Sequence, residues 1–331
     1  MTRPRLSVLD QSPIAEGGTG AQALKNTIDL AQLAEELGYG RYWLAEHHGT
    51  PMLACGAPEI MVAAVAAATS RIRVGTGGVM LSHYSPFKVA EVFSVIAGLH
   101  GKRIDLGIGR APGGDLETIY ALQRDRRQLL PEDYAEQVQE LLAYFEDGFP
   151  PDHPLAKLAR LPGAPGVPVV WLLGTSPDSA VMAAELGLPY AVADFINPGS
   201  ATSGRLYREM FVASQRLRRP EVTVAVGAVC AETDEEARKL SSSWRMAITQ
   251  AGRGEFGPLP AVPRALEFLA GVSGDTFAGR RVVVGSPGTA RAALEQIAAD
   301  YGADEILVHT LIHNHRARRR SYELLAEAFG R

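Results

Sequence analysis

Cysteine is almost absent from this 331-residue chain, which has only Cys55 and Cys230, far apart in sequence. Neither belongs to a Cys-x-x-Cys pair, so no disulfide framework is predicted, and both residues fit a reducing compartment. No apolar run is long enough to span a membrane, and residues 1–20 lack the apolar stretch of a secretory signal. We therefore expect a cytoplasmic protein without a membrane partner.

An excess of charge is also lacking, since 33 Lys and Arg stand against 37 Asp and Glu, for a formal net charge of -4. This balance argues against nucleic acid or an anionic membrane surface as a partner. The hydrophobic share of 46% and the charged share of 21% are typical of a globular protein. A chain of this length can bury a core that is stable without a disulfide or a metal.

The sequence does contain a regular alternation of short apolar strands with helices. In its organising stretch, residues 71–114, a strand at 72–76 is followed by a helix that starts at Pro86 and by a second strand at 104–108. Two strands joined by a helix form a βαβ unit, so we expect them to be parallel. Further strands are predicted at 6–10, 41–45, 167–173, 190–193, 222–229 and 305–309, with a short extended piece at 282–284 and a helix near 199–217.

This number of strand–helix pairs favours a closed (β/α)8 TIM barrel, an α/β fold with a parallel sheet. We predict a single domain over residues 1–331, with excursions at about 111–130, 147–167 and 250–280 that are rich in proline and glycine or lack a clear strand. The first and third excursions are candidate lids over the substrate. Because TIM barrels carry their chemistry at the carboxyl ends of the strands, the residues that follow each strand are the candidate site.

Glycines and one arginine follow two neighbouring strands. Gly77 and Gly78 come after the strand at 72–76, and Gly109 and Arg110 come after the strand at 104–108. Glycine permits unusual backbone torsions or the close approach of a ligand, and the arginine guanidinium suits phosphate. The pattern indicates either a site for a large planar, phosphorylated ligand or turn glycines beside a surface arginine.

A candidate anion site follows the strand at 167–173. Ser176 is placed to cap the next helix, whose first position is Pro177. The free N–H groups of a helix N-terminus attract anions, and Thr175, Ser176 and Ser179 would add hydroxyls. A plain helix cap explains the same residues, and residues 285–288 repeat the pattern.

A histidine pair, His47 and His48, follows the strand at 41–45. Histidine titrates near neutral pH and serves as a base or as a hydrogen-bond donor, so we interpret the pair as functional. His313 and His315 fit a helix cap or a dimer surface as well as they fit a metal, and no carboxylate or cysteine set has ligand spacing, so no metal site is predicted. The arginines at 216–219 and 316–320 are interpreted as solvated helix surface.

Taken together, these motifs resemble those of the bacterial luciferase-like flavin-dependent monooxygenases, in particular the small single-subunit bacterial members. The likeness runs nearly end to end. It is carried by Ala45-Glu46-His47-His48, by residues 74–79 and 105–113, and by residues 306–308 and 321–325.

The resemblance implies a flavin at the carboxyl rim of the barrel. It implies a non-prolyl cis peptide at Gly77–Gly78 against the flavin ring, and His47 as the catalytic histidine with His48 beside it in the pocket. It also implies that the flavin phosphate is held by Arg110, Thr175, Ser176 and Ser179. Light-emitting members have an acidic residue where this chain has Thr175, so light emission is not expected.

The predicted function is a monooxygenase that takes reduced FMN from a separate reductase and uses O2 to oxygenate a small organic substrate. A closed pocket would keep water from the reactive species. No dinucleotide fingerprint follows Gly107-x-Gly109, so NAD(P)H is not expected as a stable cofactor. Two alternatives stay open, hydride transfer with a deazaflavin coenzyme and non-catalytic flavin binding, and family analogy suggests a homodimer.

Overall fold

The computed structural model describes residues 3–110, 116–123, 133–146, 148–158, 163, 166–274 and 277–330, and nine strands alternate with eleven α-helices within these ranges. The strands are β1 (Arg5–Asp10), β2 (Arg41–Leu44), β3 (Arg73–Met80), β4 (Ile104–Gly109), β5 (Val169–Gly174), β6 (Tyr190–Ala193), β7 (Val222–Cys230), β8 (Val282–Gly285) and β9 (Glu305–His309). The helices are α1 (Gly20–Glu36), α2 (Pro58–Ala68), α3 (Pro86–His100), α4 (Leu116–Leu122), α5 (Tyr134–Glu146), α6 (Pro177–Glu185), α7 (Ala201–Met210), α8 (Asp234–Ala251), α9 (Val262–Ala270), α10 (Pro287–Tyr301) and α11 (His315–Ala328).

Eight of the strands close into a parallel barrel. From β1 to β7, each strand pairs with the next, and β9 closes the circle by pairing with both β7 and β1. The register aligns Leu9 of β1 with Trp43 of β2 on one side and with His309 of β9 on the other. The predicted (β/α)8 barrel is confirmed. The extended piece predicted at 282–284 is strand β8. Among the described strands it pairs with β7 alone, so it lies outside the circle of eight.

The helices form where the sequence combines a cap with an apolar stripe. In α1, for example, the Thr19 hydroxyl accepts a hydrogen bond from the Gln22 N–H at 3.2 Å, which is an ordinary N-cap. The helix stops before Gly38, whose φ of 77° is left-handed. Its buried side chains recur at helical spacing, and four of them belong to one continuous hydrophobic core: Leu30, Ala31, Leu33 and Ala34.

The barrel interior has three levels because side chains alternate along each strand. On β9 the inward residues are Glu305, Leu307 and His309, from the amino end to the carboxyl end of the strand. Glu305 belongs to an ion-pair network with Arg41 and Asp105, which closes the amino end of the barrel. The middle level is apolar and includes Leu307. Only the carboxyl end therefore leaves room for a cleft.

Trp43 and Trp171 fill the centre of the barrel. Their rings meet edge to face, with centroids 5.1 Å apart, and the Arg41 guanidinium lies 4.5 Å from the Trp171 ring centroid. Both tryptophans are fully buried. They separate the charged network at the amino end from the space at the carboxyl end.

Three regions differ from the expectation. Helix α7 ends at Met210 rather than near 217, because the following segment turns back onto α6 through hydrogen bonds from Val212 N to Ala184 O and from Ser214 Oγ to Gly187 O. The excursion at 250–280 contains α9, and that at 111–130 contains α4, although much of the latter lies outside the described residues. Within 147–167, the described residues form turns.

One arginine of the 316–320 cluster is not on the surface. Arg318 is 2% exposed, and its guanidinium is 2.7 Å from a carboxylate oxygen of Asp10, itself fully buried at the end of β1. The interpretation of this cluster as solvated surface was wrong for Arg318, because the charge pattern does not reveal a buried partner on a distant strand. Among the described residues, no helix is both long and apolar enough to cross a membrane.

Candidate functional site

A cleft of about 760 Å³ opens at the carboxyl end of the barrel. Its walls come from β1 to β7, from β9 and from the first turns of α5 and α6. The structure brings together seven of the eight predicted site residues along this cleft: His47, Gly77, Gly78, Arg110, Thr175, Ser176 and Ser179. The eighth, His48, does not line the cleft.

The glycine edge of the cleft lies within β3. The Gly77–Gly78 peptide bond is cis, as the resemblance implied, and the pairing of β3 with β4 shifts register between Thr76 and Val79. Such a bulge is typical of a barrel rim next to a site. No side chain projects from this edge at Gly77 or Gly78, so a flat ligand can approach the backbone.

Gly78 is also required by the neighbouring strand. Neither Gly77 nor Gly78 has a positive φ, so a left-handed backbone does not explain them. A Cβ on Gly78 would lie 2.8 Å from the Gly107 carbonyl oxygen of β4, which excludes a side chain at this position. A Cβ on Gly77 would lie 2.7 Å from Leu9 Cδ1, the end of a flexible side chain, so a side chain there would require Leu9 to move.

His47 lies where β2 opens into the cleft. Its backbone N–H donates to the Cys55 carbonyl at 2.9 Å, and its ring Nε2 lies 3.4 Å from the Gln11 side-chain nitrogen. Burial, reinforced by nearby His48, lowers the pKa of His47 from 6.5 to about 4, although the Ala45 backbone opposes the shift. The ring is therefore neutral at pH 7, able to donate from one nitrogen and accept at the other.

Glu46 is the buried carboxylate of this edge. It lines the cleft and accepts hydrogen bonds from Met80 N at 2.9 Å, from Tyr84 Oη at 2.7 Å and from His48 Nε2 at 2.6 Å. The His48 ring meets the His83 ring edge to face at 6.3 Å. His48 is thus bound to the side chain of Glu46, rather than beside His47 in the cleft as expected.

The predicted anion end is formed by the N-terminus of α6. Ser176 is its N-cap, and its Oγ accepts from Ser179 N at 3.3 Å. The Ser179 hydroxyl donates to the Ser176 carbonyl at 2.7 Å and meets Tyr190 Oη at 2.8 Å. The predicted cap is confirmed, and residues of this first turn line the cleft. A helix N-terminus has free N–H groups, which are suited to an anion.

The similar segment at 285–288 is not an open site. The Ser286 N–H donates to Asp234 Oδ1 at 2.6 Å, so a carboxylate from the start of α8 already occupies the N-terminus of α10. The sequence pattern alone did not distinguish the two segments. Their difference lies in the tertiary partner, which is an acidic side chain in one case and the cleft in the other.

Arg110 and Tyr134 line the cleft near the α6 N-terminus. The Tyr134 hydroxyl is buried and has no hydrogen-bond partner within the described part of the chain. Burial raises the pKa of Tyr134, and the nearby charge of Arg110 opposes the rise. Sequence reasoning missed Tyr134, because a tyrosine that opens a helix has no local signal of function.

Gln11 and Glu46 also line the cleft and were not predicted as site residues. His309, which does not line the cleft, is a buried histidine beside its wall. It ends β9, and its ring lies between Phe195 of the cleft wall at 4.9 Å and Trp244 at 5.0 Å. Among the described residues, neither ring nitrogen has a hydrogen-bond partner. Burial and the Arg318 charge lower its pKa from 6.5 to about 3. Alternation along the predicted strand at 305–309 would have placed it inside the barrel.

His313 and His315, near the start of α11, have ordinary partners. His315 Nε2 lies 2.7 Å from Asp29 Oδ2, and His313 Nε2 lies 3.1 Å from the Glu16 carbonyl. Asn314, rather than a histidine, caps α11. Across the described ranges, no group of three or more His, Cys, Asp or Glu side chains is arranged to hold a metal ion.

The shape and polarity of the cleft fit a flavin nucleotide. Its middle is apolar, with Leu9, Trp43 and Leu307 among its walls, and one side is the bare backbone of Gly77 and Gly78. Its far end carries a cation, hydroxyls and the unpaired Tyr134 donor. Asp178 lines the same end, so the positive charge of Arg110 would have to outweigh this carboxylate when an anion binds.

The family model described as luciferase-like monooxygenase matches residues 5–305. A luciferase-like monooxygenase from Escherichia coli (strain K12) is 38% identical over 96% of this chain and 95% of its own length. The N-acetyl-S-alkylcysteine monooxygenase of Bacillus subtilis (strain 168) is 35% identical over 98% of both. The crystal structure of apo-MsnO8 superposes with a TM-score of 0.92 at 42% identity, covering 99% of this chain and 98% of that one.

More distant structures share the fold. The oxygenating constituent of 3,6-diketocamphane monooxygenase from Pseudomonas putida, in complex with FMN, is 18% identical over 98% of this chain and 97% of its own, with a TM-score of 0.72. An F420-dependent secondary alcohol dehydrogenase is 11% identical over 100% of both chains, with a TM-score of 0.68. At these identities the two structures show only that the fold is shared. The family model, and the relatives that match over nearly the whole chain, identify this protein as a member of the luciferase-like monooxygenase family.

Proposed function

We propose that this protein is the oxygenase of a two-component system, which binds reduced FMN delivered by a separate reductase and uses O2 to oxygenate a small organic substrate. The observation that carries the proposal is one cleft with an apolar middle, a side-chain-free glycine edge and a cationic, hydroxyl-rich end. These three parts match the ring, the reacting face and the phosphate of the nucleotide.

In this proposal the phosphate lies at the N-terminus of α6. Arg110 supplies the charge, and Thr175, Ser176, Ser179 and Tyr134 supply donors beside it. The ring lies against Gly77 and Gly78, over the apolar middle of the barrel. When bound, the reduced flavin supplies the two electrons that activation of O2 consumes.

His47 is the proposed catalytic residue. Because its pKa is lowered to about 4, the ring is neutral at working pH and can accept a proton from the reacting groups or hydrogen-bond to them without adding a charge. Replacing His47 by Ala should cut turnover while leaving FMN affinity nearly intact. Unchanged turnover would remove His47 from the mechanism.

The deciding experiment is binding of FMN and of the deazaflavin coenzyme F420, each oxidised and reduced, followed by tryptophan fluorescence. Trp43 lines the cleft, so a bound ring should quench its emission. Preference for reduced FMN, with O2 uptake on turnover, supports the proposal. Preference for the deazaflavin without O2 uptake would assign hydride transfer instead, and tight FMN binding with no turnover would indicate a flavin-binding protein.

Arg110→Ala tests the phosphate end directly. We expect this variant to bind FMN at least tenfold more weakly, because a charge-assisted pair to phosphate is lost. Riboflavin, which lacks the phosphate, should bind wild type and variant alike. Equal FMN affinity in both proteins would contradict the phosphate role.

The substrate proposal starts from a named relative. That protein is an N-acetyl-S-alkylcysteine monooxygenase, so we propose small thioethers as the first class to screen, with oxygen transferred to sulfur. A cytoplasmic location and a homodimer remain proposals. Exposed apolar side chains of Ile60 on α2 and Leu99 on α3 support a contact between copies, which sedimentation of the purified protein would test.

A further inference from the structure

The Ala45-Glu46-His47-His48 motif contains two residues that the proposed function leaves without a task, Glu46 and His48. Glu46 is 1% exposed, and the side chain of His48 is 13% exposed. The pair meets at 2.6 Å between His48 Nε2 and Glu46 Oε1. A carboxylate buried this deeply is stable only when donors surround it.

The three donors to Glu46 come from two segments of the rim, the loop after β2 and the segment 78–84. Met80 N belongs to the end of β3, two residues after Gly78, and Tyr84 follows the short helical turn Leu81–His83. His48 belongs to the loop after β2. Glu46 therefore joins the end of β2 to the segment 78–84, which continues the glycine edge of the cleft.

The hydrogen-bond geometry restricts what His48 can do. Its Nε2 is committed to Glu46, and its ring does not line the cleft. Tyr84 shares the same carboxylate oxygen, and burial and the Glu46 charge raise its pKa, so Tyr84 remains a donor. Among the described residues, His48 is the one basic group that pairs with Glu46.

We propose that Glu46 and His48 are positioning residues. Glu46 holds segment 78–84 in register so that the Gly77–Gly78 edge can receive the flavin ring, and His48 acts through Glu46 by donating from Nε2, without exchanging a proton during turnover. This assignment replaces the expected catalytic role of His48 and rests on the proposed function. It predicts that His48 can be replaced by any side chain that still donates to Glu46.

The matched pair His48→Gln and His48→Ala tests the assignment, because Gln keeps an N–H donor and cannot titrate. The first readout is backbone hydrogen exchange of the flavin-free protein over residues 78–84, which requires no cofactor. We expect exchange to be at least tenfold faster in H48A, because a buried carboxylate loses a donor, and within about threefold of wild type in H48Q. Tyr84→Phe removes a different donor to the same oxygen and should also speed exchange there.

The second readout is function. H48Q should retain FMN affinity, turnover and the pH profile of wild type, whereas H48A should bind FMN more weakly. The double variant that combines H48A with Glu46→Gln should lose little more FMN affinity than either single variant, because both substitutions act on one network. Exchange in peptides from β7 and β9 should be unchanged in all variants, which controls for global unfolding.

Several results would overturn the assignment. If backbone hydrogen exchange over residues 78–84 were as slow in H48A and in Y84F as in wild type, Glu46 would not hold this segment. Loss of turnover in H48Q, with normal FMN affinity and normal exchange, would mean that His48 must titrate. If wild type binds no reduced FMN, the proposed function fails, but the exchange comparison still decides whether the pair positions the rim.

Discussion

At the residue scale, burial sets the charge state of two histidines around the cleft. His47 and His309 have pKa values lowered from 6.5 to about 4 and about 3, because their rings are removed from water. In the unfolded chain both would titrate near 6.5. Between that pH and the lowered values, the unfolded state binds more protons than the folded state, so stability rises with pH and is lost as the pH falls below about 6.5.

His309→Phe should flatten this pH dependence. Phenylalanine suits the aromatic surroundings of Phe195 and Trp244 and leaves no ring nitrogen unpaired. In wild type, His309 alone accounts for about 2 kcal/mol of the stability lost between pH 7 and pH 5. We expect urea unfolding of H309F to show a loss smaller by that amount. The same slope in both proteins would mean that His309 does not stay neutral in the folded state.

Tyr134→Phe should separate binding from stability. The hydroxyl has no partner in the described chain, so its removal should leave the melting temperature of the flavin-free protein equal or higher. FMN affinity should fall several-fold while riboflavin affinity stays constant, if the hydroxyl donates to the phosphate. A lower melting temperature without any change in FMN affinity would show that the hydroxyl serves the fold.

What could be read from the sequence at this scale depends on where the signal lies. Arg110 and the Thr175 to Ser179 segment follow predicted strands, so topology alone placed them at one rim. Glu46 was inside a recognised motif with one of its donors, His48, but the other two come from the segment after β3, and one of these is a backbone N–H. Tertiary partners of this kind have no sequence pattern.

At the element scale, the phosphate end depends on the turn between β5 and α6. Gly174 ends β5, and a Cβ there would lie 2.5 Å from the Ser179 Cβ. The glycine thus lets the first turn of α6 fold back against the strand, which keeps the capping serine at the cleft. In the sequence this glycine is simply the residue that follows the predicted strand at 167–173.

Gly174→Ala should therefore displace the first turn of α6. We expect a melting temperature several degrees lower and weaker FMN binding, because the cap and the anion site share this turn. Gly109→Ala is the matched control, since Gly109 lines the same cleft and a Cβ there meets nothing within 4 Å. A similar loss of FMN affinity in both variants would indicate crowding of the ligand rather than displacement of the turn.

Element boundaries were predicted well where local signals agree. Helix α3 begins at Pro86, as predicted, and β6 and β9 match their apolar runs. Helix α7 was predicted too long because residues 211–217, which contain neither glycine nor proline, are compatible with a helix. Contacts to α6 override that preference and turn the chain at Phe211.

At the scale of the whole molecule, the barrel is closed at its amino end by charge. Arg41 is 5% exposed and pairs with Asp105 at 3.0 Å, Glu305 at 3.0 Å and Glu221 at 2.9 Å. This one guanidinium links β2, β4 and β9 with Glu221, the residue that precedes β7. Removing it would leave buried carboxylates without their central counter-charge.

Arg41→Met should lower the free energy of unfolding by about 3 to 5 kcal/mol, the usual result of breaking a buried pair. FMN affinity should be unchanged in the folded protein, because the tryptophan layer separates the network from the cleft. Arg5→Met is the control. The Arg5 side chain is 55% exposed and pairs with two of the same carboxylates, so its loss should cost less than about 1 kcal/mol. Equal losses would mean that burial does not decide the strength of the network.

The position of β8 has a consequence for engineering. The wall closes through direct pairing of β7 with β9, and the described residues of the chain between them, 231–274 and 277–304, contribute no strand to the circle. Part of this insert packs on the loop after β1, where Leu259 N donates to the Ile14 carbonyl at 2.8 Å and Arg264 pairs with Glu16. The stretch around α9 is thus a segment that could be exchanged between homologues while the barrel, the cap at α6 and the charged floor stay as they are.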